Sequence, residues 1–265
     1  MALGYFAFVL AWTWGFWSVP VMLGSDPWAM PNVAFVYAGG AGPLLGGLIF
    51  TYARGGRSGL RELGARLVDV WRIGPVWWLA VVGLIPLIEA AAAAIAAQVF
   101  SAPAEVFTPL TENLANPAAF LALAGFTLLL GPLPEEIGWR GFALDALQAR
   151  LAPIAASLIL AAGWAAWHAP LFFMDGYYAP FGGPPAPWHF AYDILLTTLL
   201  ITWIYNHTRR SVLAAVLFHF MGNFSGEIVA SSETGDLIAT ILTTLVTVTV
   251  IAAGGLRRAT PRRAW

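Results

Sequence analysis

The chain contains no cysteine. That excludes disulfides, thiol nucleophiles and cysteine-based metal sites together. It contains no lysine either, so all 13 basic residues are arginine. Charge is scarce: 10% of residues are charged and the net value is −1. No basic patch of the kind that attracts nucleic acid is present, so nucleic acid is not an expected partner. The alternation a membrane β-barrel requires is also missing. What the chain has in abundance is apolar sequence, with 59% hydrophobic residues and a mean hydropathy of +0.74. Several apolar runs approach or exceed the roughly 20 residues that cross a bilayer. These features predict an all-α, polytopic membrane protein, because in lipid every backbone polar group must be satisfied within the segment. The first residues have no basic stretch and no small-residue cleavage site, and read as a first span, not a removable signal.

Taken in order, about eight spans are expected, enclosing an intramembrane polar site. They run over Ala2–Leu23, Val33–Tyr52, Pro75–Val99, Ala118–Arg140, Pro153–Phe173, Phe190–Tyr205, Ser211–Val229 and Leu237–Ala253, the fourth continuing as a helix towards Arg150. Gly42 and Gly46 in the second span have the small-xxx-small spacing that lets helices approach closely. Residues 54–72 carry five arginines with Leu60, Leu63, Leu67, Val70 and Trp71 at near-helical spacing. That pattern predicts an amphipathic helix on the cytoplasmic surface. The arginines fall in 53–74, in the stretch from the end of the fourth span to 152, in 206–210 and in 256–265. The segments 101–117, 174–189 and 230–236 carry acids and no arginine. By the positive-inside rule both termini are cytoplasmic. The expectation is one integral domain over 1–265 in the cell membrane, with a motif-bearing core at about 118–230.

That core opens on Gly131-Pro132-Leu133-Pro134-Glu135-Glu136-Ile137-Gly138-Trp139-Arg140. A charged side chain in mid-membrane costs about 2.5–3.5 kcal/mol on insertion scales, which makes it a functional hypothesis. Pro134 is expected at the first helical position, with Glu135 and Glu136 in the first turn. Glu136 and Arg140 are four apart and can pair on one face. Two histidines lie inside later spans, His168 in the fifth and His219 in the seventh, and Asn223 shares the face of His219. Three spans thus carry polar groups that gain by converging. Glu135, Glu136, His168, His219 and Asn223 are the parts of a water-activating hydrolytic site. A desolvated carboxylate can take a proton from water, and a neutral imidazole can orient that water or bind a metal. A histidine and an asparagine on one face can hold an oxyanion. No serine sits in a nucleophile-elbow context, so acyl-enzyme chemistry is disfavoured. A lone Glu89 in the third span is a lesser candidate. By rise per residue, Glu135 lies roughly 24 Å from the outer start of its span and His168 roughly 22 Å from a cytoplasmic start at Pro153. They can meet only if the fifth span starts later, near Ser157, or the helices tilt strongly.

Glu135-Glu136-x-x-x-Arg140, the Trp164–His168 segment and His219-x-x-x-Asn223, in this order on three spans, resemble the CAAX protease and bacteriocin-processing (CPBP, or Abi) family of intramembrane proteases. That family includes the type II CAAX prenyl endopeptidases. The family commonly has Phe where this chain has Trp164, from which a change of pocket shape without loss of chemistry is expected. The resemblance implies an intramembrane endopeptidase acting near the cytoplasmic face on CAAX-type or other lipidated peptides. It implies Glu135 as the catalytic carboxylate, His168 as its partner on water, and His219 with Asn223 as oxyanion donors. Arg140 would position the glutamates, paired with Glu136. The family is often termed metalloprotease, and Glu135, His168 and His219 are the candidate zinc ligands. HExxH is absent, and the same residues serve a metal-free glutamate protease, which is slightly favoured. A same-fold immunity or binding protein and an enzyme acting on an isoprenoid or other lipid are alternatives. A small transporter is disfavoured, since no repeat or paired half-helices are visible.

Overall fold

A computed structural model of the protein describes residues 1–100, 105–230 and 232–257. The arginine-rich tail from Arg258, the beginning of the acidic loop at 101–104, and Ser231 lie outside the described residues. Among the described residues all regular structure is helical. The helices are α1 (Ala2–Leu23), α2 (Asn32–Gly40), α3 (Gly42–Val68), α4 (Pro75–Phe100), α5 (Thr108–Leu114) and α6 (Pro117–Leu130). They continue as α7 (Pro132–Gly138), α8 (Leu144–Gln148), α9 (Pro153–His168), α10 (Pro187–His207), α11 (Val212–Phe224) and α12 (Glu233–Ala252). A π-helical turn, Trp139–Ala143, joins α7 to α8.

Among the described residues, six helical stretches are long and apolar enough to cross a bilayer: Ala2–Leu23, Asn32–Val68, Pro75–Phe100, Pro117–Gln148, Pro153–Phe173 and Glu233–Ala252. The protein is therefore an all-α, polytopic membrane protein. The other two expected spans correspond to α10 and α11. At 13 residues, α11 rises only about 20 Å, short of a hydrocarbon core of about 30 Å. α10 includes His189, Asp193, Asn206 and His207. It packs chiefly on α9, α11 and α12, burying Leu196, Leu199, Leu200, Ile201 and Ile204. A helix wrapped by protein has less need of a lipid-compatible surface.

Two expected helices are interrupted, and each break has a local cause. α2 ends at Gly40 because its last carbonyls are taken from outside the helix. Trp12 Nε1 donates to the Ala38 carbonyl at 2.8 Å, Thr13 Oγ1 to that of Gly39 at 2.8 Å, and Trp17 Nε1 to that of Val36 at 2.8 Å. Such orphan carbonyls need partners at a helix end, and here α1 supplies them. α3 then bends at Gly56, whose φ of 57° is a left-handed value that glycine tolerates without strain. The second break falls at Gly131 (φ −117°, ψ −92°), between α6 and α7. It is followed by Pro132, which lacks an N–H to continue the ladder.

The helix bearing the glutamates is held by close backbone contact. A Cβ on Gly47 of α3 would lie 2.7 Å from the Ile137 carbonyl and 2.9 Å from Gly138 Cα. A Cβ on Gly138 would collide with the Pro43 carbonyl and the Tyr5 hydroxyl. The anticipated pair Gly42 and Gly46 serves a different contact, seating α3 on Thr13, Val9 and Tyr5 of α1. Nearby, Arg66 of α3 is buried. Its Nη1 bonds Asp145 Oδ2 at 2.7 Å and the Tyr205 hydroxyl at 2.6 Å, and its Nη2 donates to the Gly141 carbonyl at 2.7 Å. Arg210 joins the same Asp145. This network ties α3, the π turn, α8 and α10 together below the site.

Gly47→Ala is expected to destabilise the protein by about 1–3 kcal/mol through overpacking. Gly125→Ala, where a Cβ meets open space, should be neutral or mildly stabilising, since alanine is the better helix former. Detergent-induced unfolding of the two variants checks this. Equal stability of both would show that the α3–α7 approach tolerates a methyl group.

Candidate active site

The short helix α7 starts two residues earlier than expected, at Pro132, with Gly131 as its cap. Pro132 occupies the first helical position in place of Pro134. Glu135 closes the first turn and Glu136 begins the second. The consequence is that Glu135 and Glu136 diverge around the helix, as successive residues must, and acquire different partners.

Glu136 points into the protein and is fully buried, as is Arg140. Arg140 Nη1 donates to Glu136 Oε1 at 2.7 Å. The two-armed contact expected of a guanidinium is not formed. Arg140 Nε and Nη2 and Glu136 Oε2 have no hydrogen-bond partner among the described residues, nor do the buried Tyr5 hydroxyl and Trp139 Nε1. Instead the guanidinium lies over the Trp164 ring, with Cζ 4.9 Å from the ring centroid. Such stacking is worth about 0.5–2 kcal/mol. The π turn contains Arg140, and insertions of this type recur at functional sites.

His219 of α11 meets the same carboxylate, its Nδ1 lying 3.0 Å from Glu136 Oε1. An ionised carboxylate can only accept, so Nδ1 carries the proton. Nε2 is the atom left for chemistry. In the neutral ring it presents a lone pair. To donate to an oxyanion His219 must be doubly protonated, which would balance the two carboxylates against two cations. Asn223 follows one turn on. Its amide nitrogen lies near Gly131, 3.6 Å from where a Cβ on that glycine would be.

Glu135 is turned towards α9. Its Oε2 accepts from Trp164 Nε1 at 2.7 Å, the length typical of a charge-assisted bond. Among the described residues no donor is bonded to Oε1. Trp164 also sets its ring edge-on to His219, centroids 5.0 Å apart. His168 Nδ1 lies 2.9 Å from the Trp164 carbonyl. A carbonyl only accepts, so Nδ1 is the protonated nitrogen and Nε2 is unprotonated in the neutral ring. Among the described residues no hydrogen bond joins His168 to Glu135. Its imidazole is walled by Trp167 at 4.5 Å and Phe190 at 5.0 Å between centroids. The structure thus joins Glu136, Arg140 and His219 directly, and links Glu135, Arg140, His168 and His219 through Trp164. Asn223 stands at the rim. Glu89 is on α4, and among the described residues no hydrogen bond or ion pair joins it to them.

Glu135 reaches α9 at Trp164, one helical turn before His168, and α9 begins at Pro153 and not later. The chain that carries Glu135 is interrupted at Gly131, so the span is not the straight rod from which its depth was reckoned. Trp164 and Tyr5 were not singled out as site residues by sequence. Trp164 had a signal, an aromatic one helical turn before His168. Tyr5 had none, being one aromatic among many in an apolar span.

The fold and site define a helical membrane protein with a buried, hydrogen-bonded carboxylate–arginine–imidazole cluster. Residues 117–225, which include all six candidate residues, match the family described as "Type II CAAX prenyl endopeptidase Rce1-like". The chain is also similar to "CAAX prenyl protease 2" of Methanococcus maripaludis, at 35% identity over 129 residues. That match covers 48% of this chain and 48% of the relative, about half the length of each. Over its motif-bearing part the chain is thus similar to the CAAX prenyl endopeptidases.

Removing one member of the buried pair should cost far more than removing both. Arg140→Met leaves Glu136 with His219 as its one remaining partner among the described residues and is expected to destabilise by about 3–5 kcal/mol. Adding Glu136→Leu should recover most of that loss. A double-mutant cycle measured by unfolding in mixed micelles checks this. Additive effects of the two substitutions would show that the pair is not a unit.

Proposed function

We propose that this protein is an intramembrane endopeptidase that hydrolyses a peptide bond with water activated by Glu135, near the cytoplasmic face, on CAAX-type or other lipidated peptides. The observation that carries the proposal is the placement of Glu135. It is nearly buried, one oxygen is held by Trp164, and no donor among the described residues is bonded to the other. That second oxygen takes a proton from water as the water oxygen attacks the substrate carbonyl. Charge builds on the carbonyl oxygen, where His219 Nε2–H and the Asn223 amide are the donors. Each such donor is worth about 3–4 kcal/mol where it meets the oxyanion. The C–N bond then breaks, and the proton held by Glu135 passes to the leaving amine. His168 Nε2, as a lone-pair acceptor, orients the water. Glu136 and Arg140 fix His219 and brace the site without touching substrate.

A zinc ion would draw on Glu135, His168 and His219. Among the described residues, no three His, Cys, Asp or Glu side chains are gathered as a metal site requires. Glu135 Oε1, His168 Nε2 and His219 Nε2 are the atoms left to bind one, with His219 Nδ1 and Glu135 Oε2 engaged elsewhere. The three are not gathered around one point, so no step is routed through a metal. The aromatic wall of Trp167, Phe172 and Phe190 beside His168 suits a lipid-modified peptide. The same wall would suit an enzyme working on a free isoprenoid. The arginine distribution supports a cell-membrane protein with both termini cytoplasmic, a single integral domain with its core at 118–230, and residues 54–72 on the cytoplasmic surface.

Purified protein is expected to cleave a prenylated fluorogenic peptide, and Glu135→Ala to reduce the rate by about 10²–10⁴-fold, the range for a lost general base. Release of the prenyl group with the peptide intact would favour the isoprenoid enzyme instead. Activity should persist in metal-depleted protein. Stoichiometric zinc, with activity lost on chelation and restored on add-back, would overturn the metal-free mechanism.

A further inference from the structure

We propose that Trp164 is a positioning residue that aims the Glu135 carboxylate through its indole N–H, a role that rests on the hydrolytic reading above. An ionised carboxylate on the short scaffold of α7 and the π turn needs something to fix its rotation. Its own helix does not do this. Glu136 and Arg140 pair with each other through Glu136 Oε1, and His219 bonds that same oxygen. Nothing on α7 or α11 is bonded to Glu135. The bond it does make is to Trp164 Nε1, 2.7 Å from Oε2 and 29 residues away in sequence.

Trp164 is well suited to serve as a rigid post. It is 3% exposed. Both ring faces or edges are in use, with Arg140 at 4.9 Å over the ring and His219 edge-on at 5.0 Å. A side chain held on several sides cannot rotate, and its N–H therefore has one direction. An indole N–H donates only, and cannot be deprotonated at physiological pH or offer the carboxylate an alternative proton. It therefore occupies Oε2 without competing for the proton that Oε1 must take. The same residue carries the ring that stacks on Arg140 and the backbone carbonyl that sets the His168 tautomer. One residue thus orients the base and fixes which nitrogen of His168 faces the water. Phenylalanine at this position would keep an aromatic ring beside Arg140 and His219 while losing the N–H and part of the ring volume.

The test separates this role from packing. Trp164→Phe, assayed on the prenylated peptide, is expected to lower kcat by about 10- to 100-fold, the range for a misplaced catalytic group, with KM changed less than about twofold. Protein labelled with ¹⁵N in the indoles of its 13 tryptophans provides the second measurement. The resonance missing in Trp164→Phe should shift in Glu135→Ala, which removes the acceptor. If Trp164→Phe does not fold, the shift of a single indole resonance between wild type and Glu135→Ala still reads the bond. Wild-type kcat in Trp164→Phe, or an unmoved indole resonance in Glu135→Ala, overturns the proposal. If the resonance shifts but the wild-type protein shows no Glu135-dependent cleavage, the hydrolytic reading fails while the Trp164–Glu135 bond stands.

Discussion

The rest of the structure depends on the burial of one ion pair. Glu136 and Arg140 are both fully inaccessible, and neither could remain charged there alone. Taking an ion out of water costs several kcal/mol even after relaxation, and only close pairing and further hydrogen bonds repay it. That requirement propagates outward. His219 must come to Glu136 from α11 and Trp164 must cover the guanidinium from α9. α3 must approach α7 closely enough that Gly47 and Gly138 can bear no side chain. The two adjacent carboxylates are thereby divided between tasks. Glu136 is locked to the scaffold, while Glu135 retains an oxygen with no bonded donor among the described residues.

A second polar cluster, Arg66 with Asp145, Tyr205 and Arg210, supports the first from below. Its reach to the Gly141 carbonyl engages the π turn directly, in the turn that carries Arg140. A π turn has a widened backbone ring and is ordinarily less stable than an α turn. External bonds to its carbonyls offset that. Arg66 lies in a stretch whose arginines suggest a surface helix, yet its side chain is buried, because Asp145 and Tyr205 supply it with partners inside the protein.

The family match and the geometry bear on different questions. The match covers residues 117–225 and so includes all six candidate residues. It omits α1 to α4, which supply Tyr5, Gly47 and Arg66. The scaffold that makes the buried pair tolerable is therefore drawn from outside the matched segment as well as within it. Trp164 is the point where chain-specific detail enters the site, as a hydrogen-bond donor where only a shape difference was anticipated.

By itself the sequence determined the helical membrane class, because an apolar run long enough to span a bilayer has no other way to satisfy its backbone. It also marked Glu135, Glu136, Arg140, His168, His219 and Asn223, because charged and polar groups are conspicuous in apolar sequence and their spacing on each helix follows from 3.6 residues per turn. It did not determine where the helices break. The end of α2 depends on donors from α1, and the break at Gly131 shifted α7 two residues towards its N-terminus. Nor could it tell which partner each polar group would take. Glu135 and Trp164 are 29 residues apart and Glu136 and His219 are 83 apart. Only the packing of α3, α9 and α11 around α7 decided that one carboxylate would be neutralised and the other held ready, because pairing across helices is set by interhelical distance and not by order along the chain.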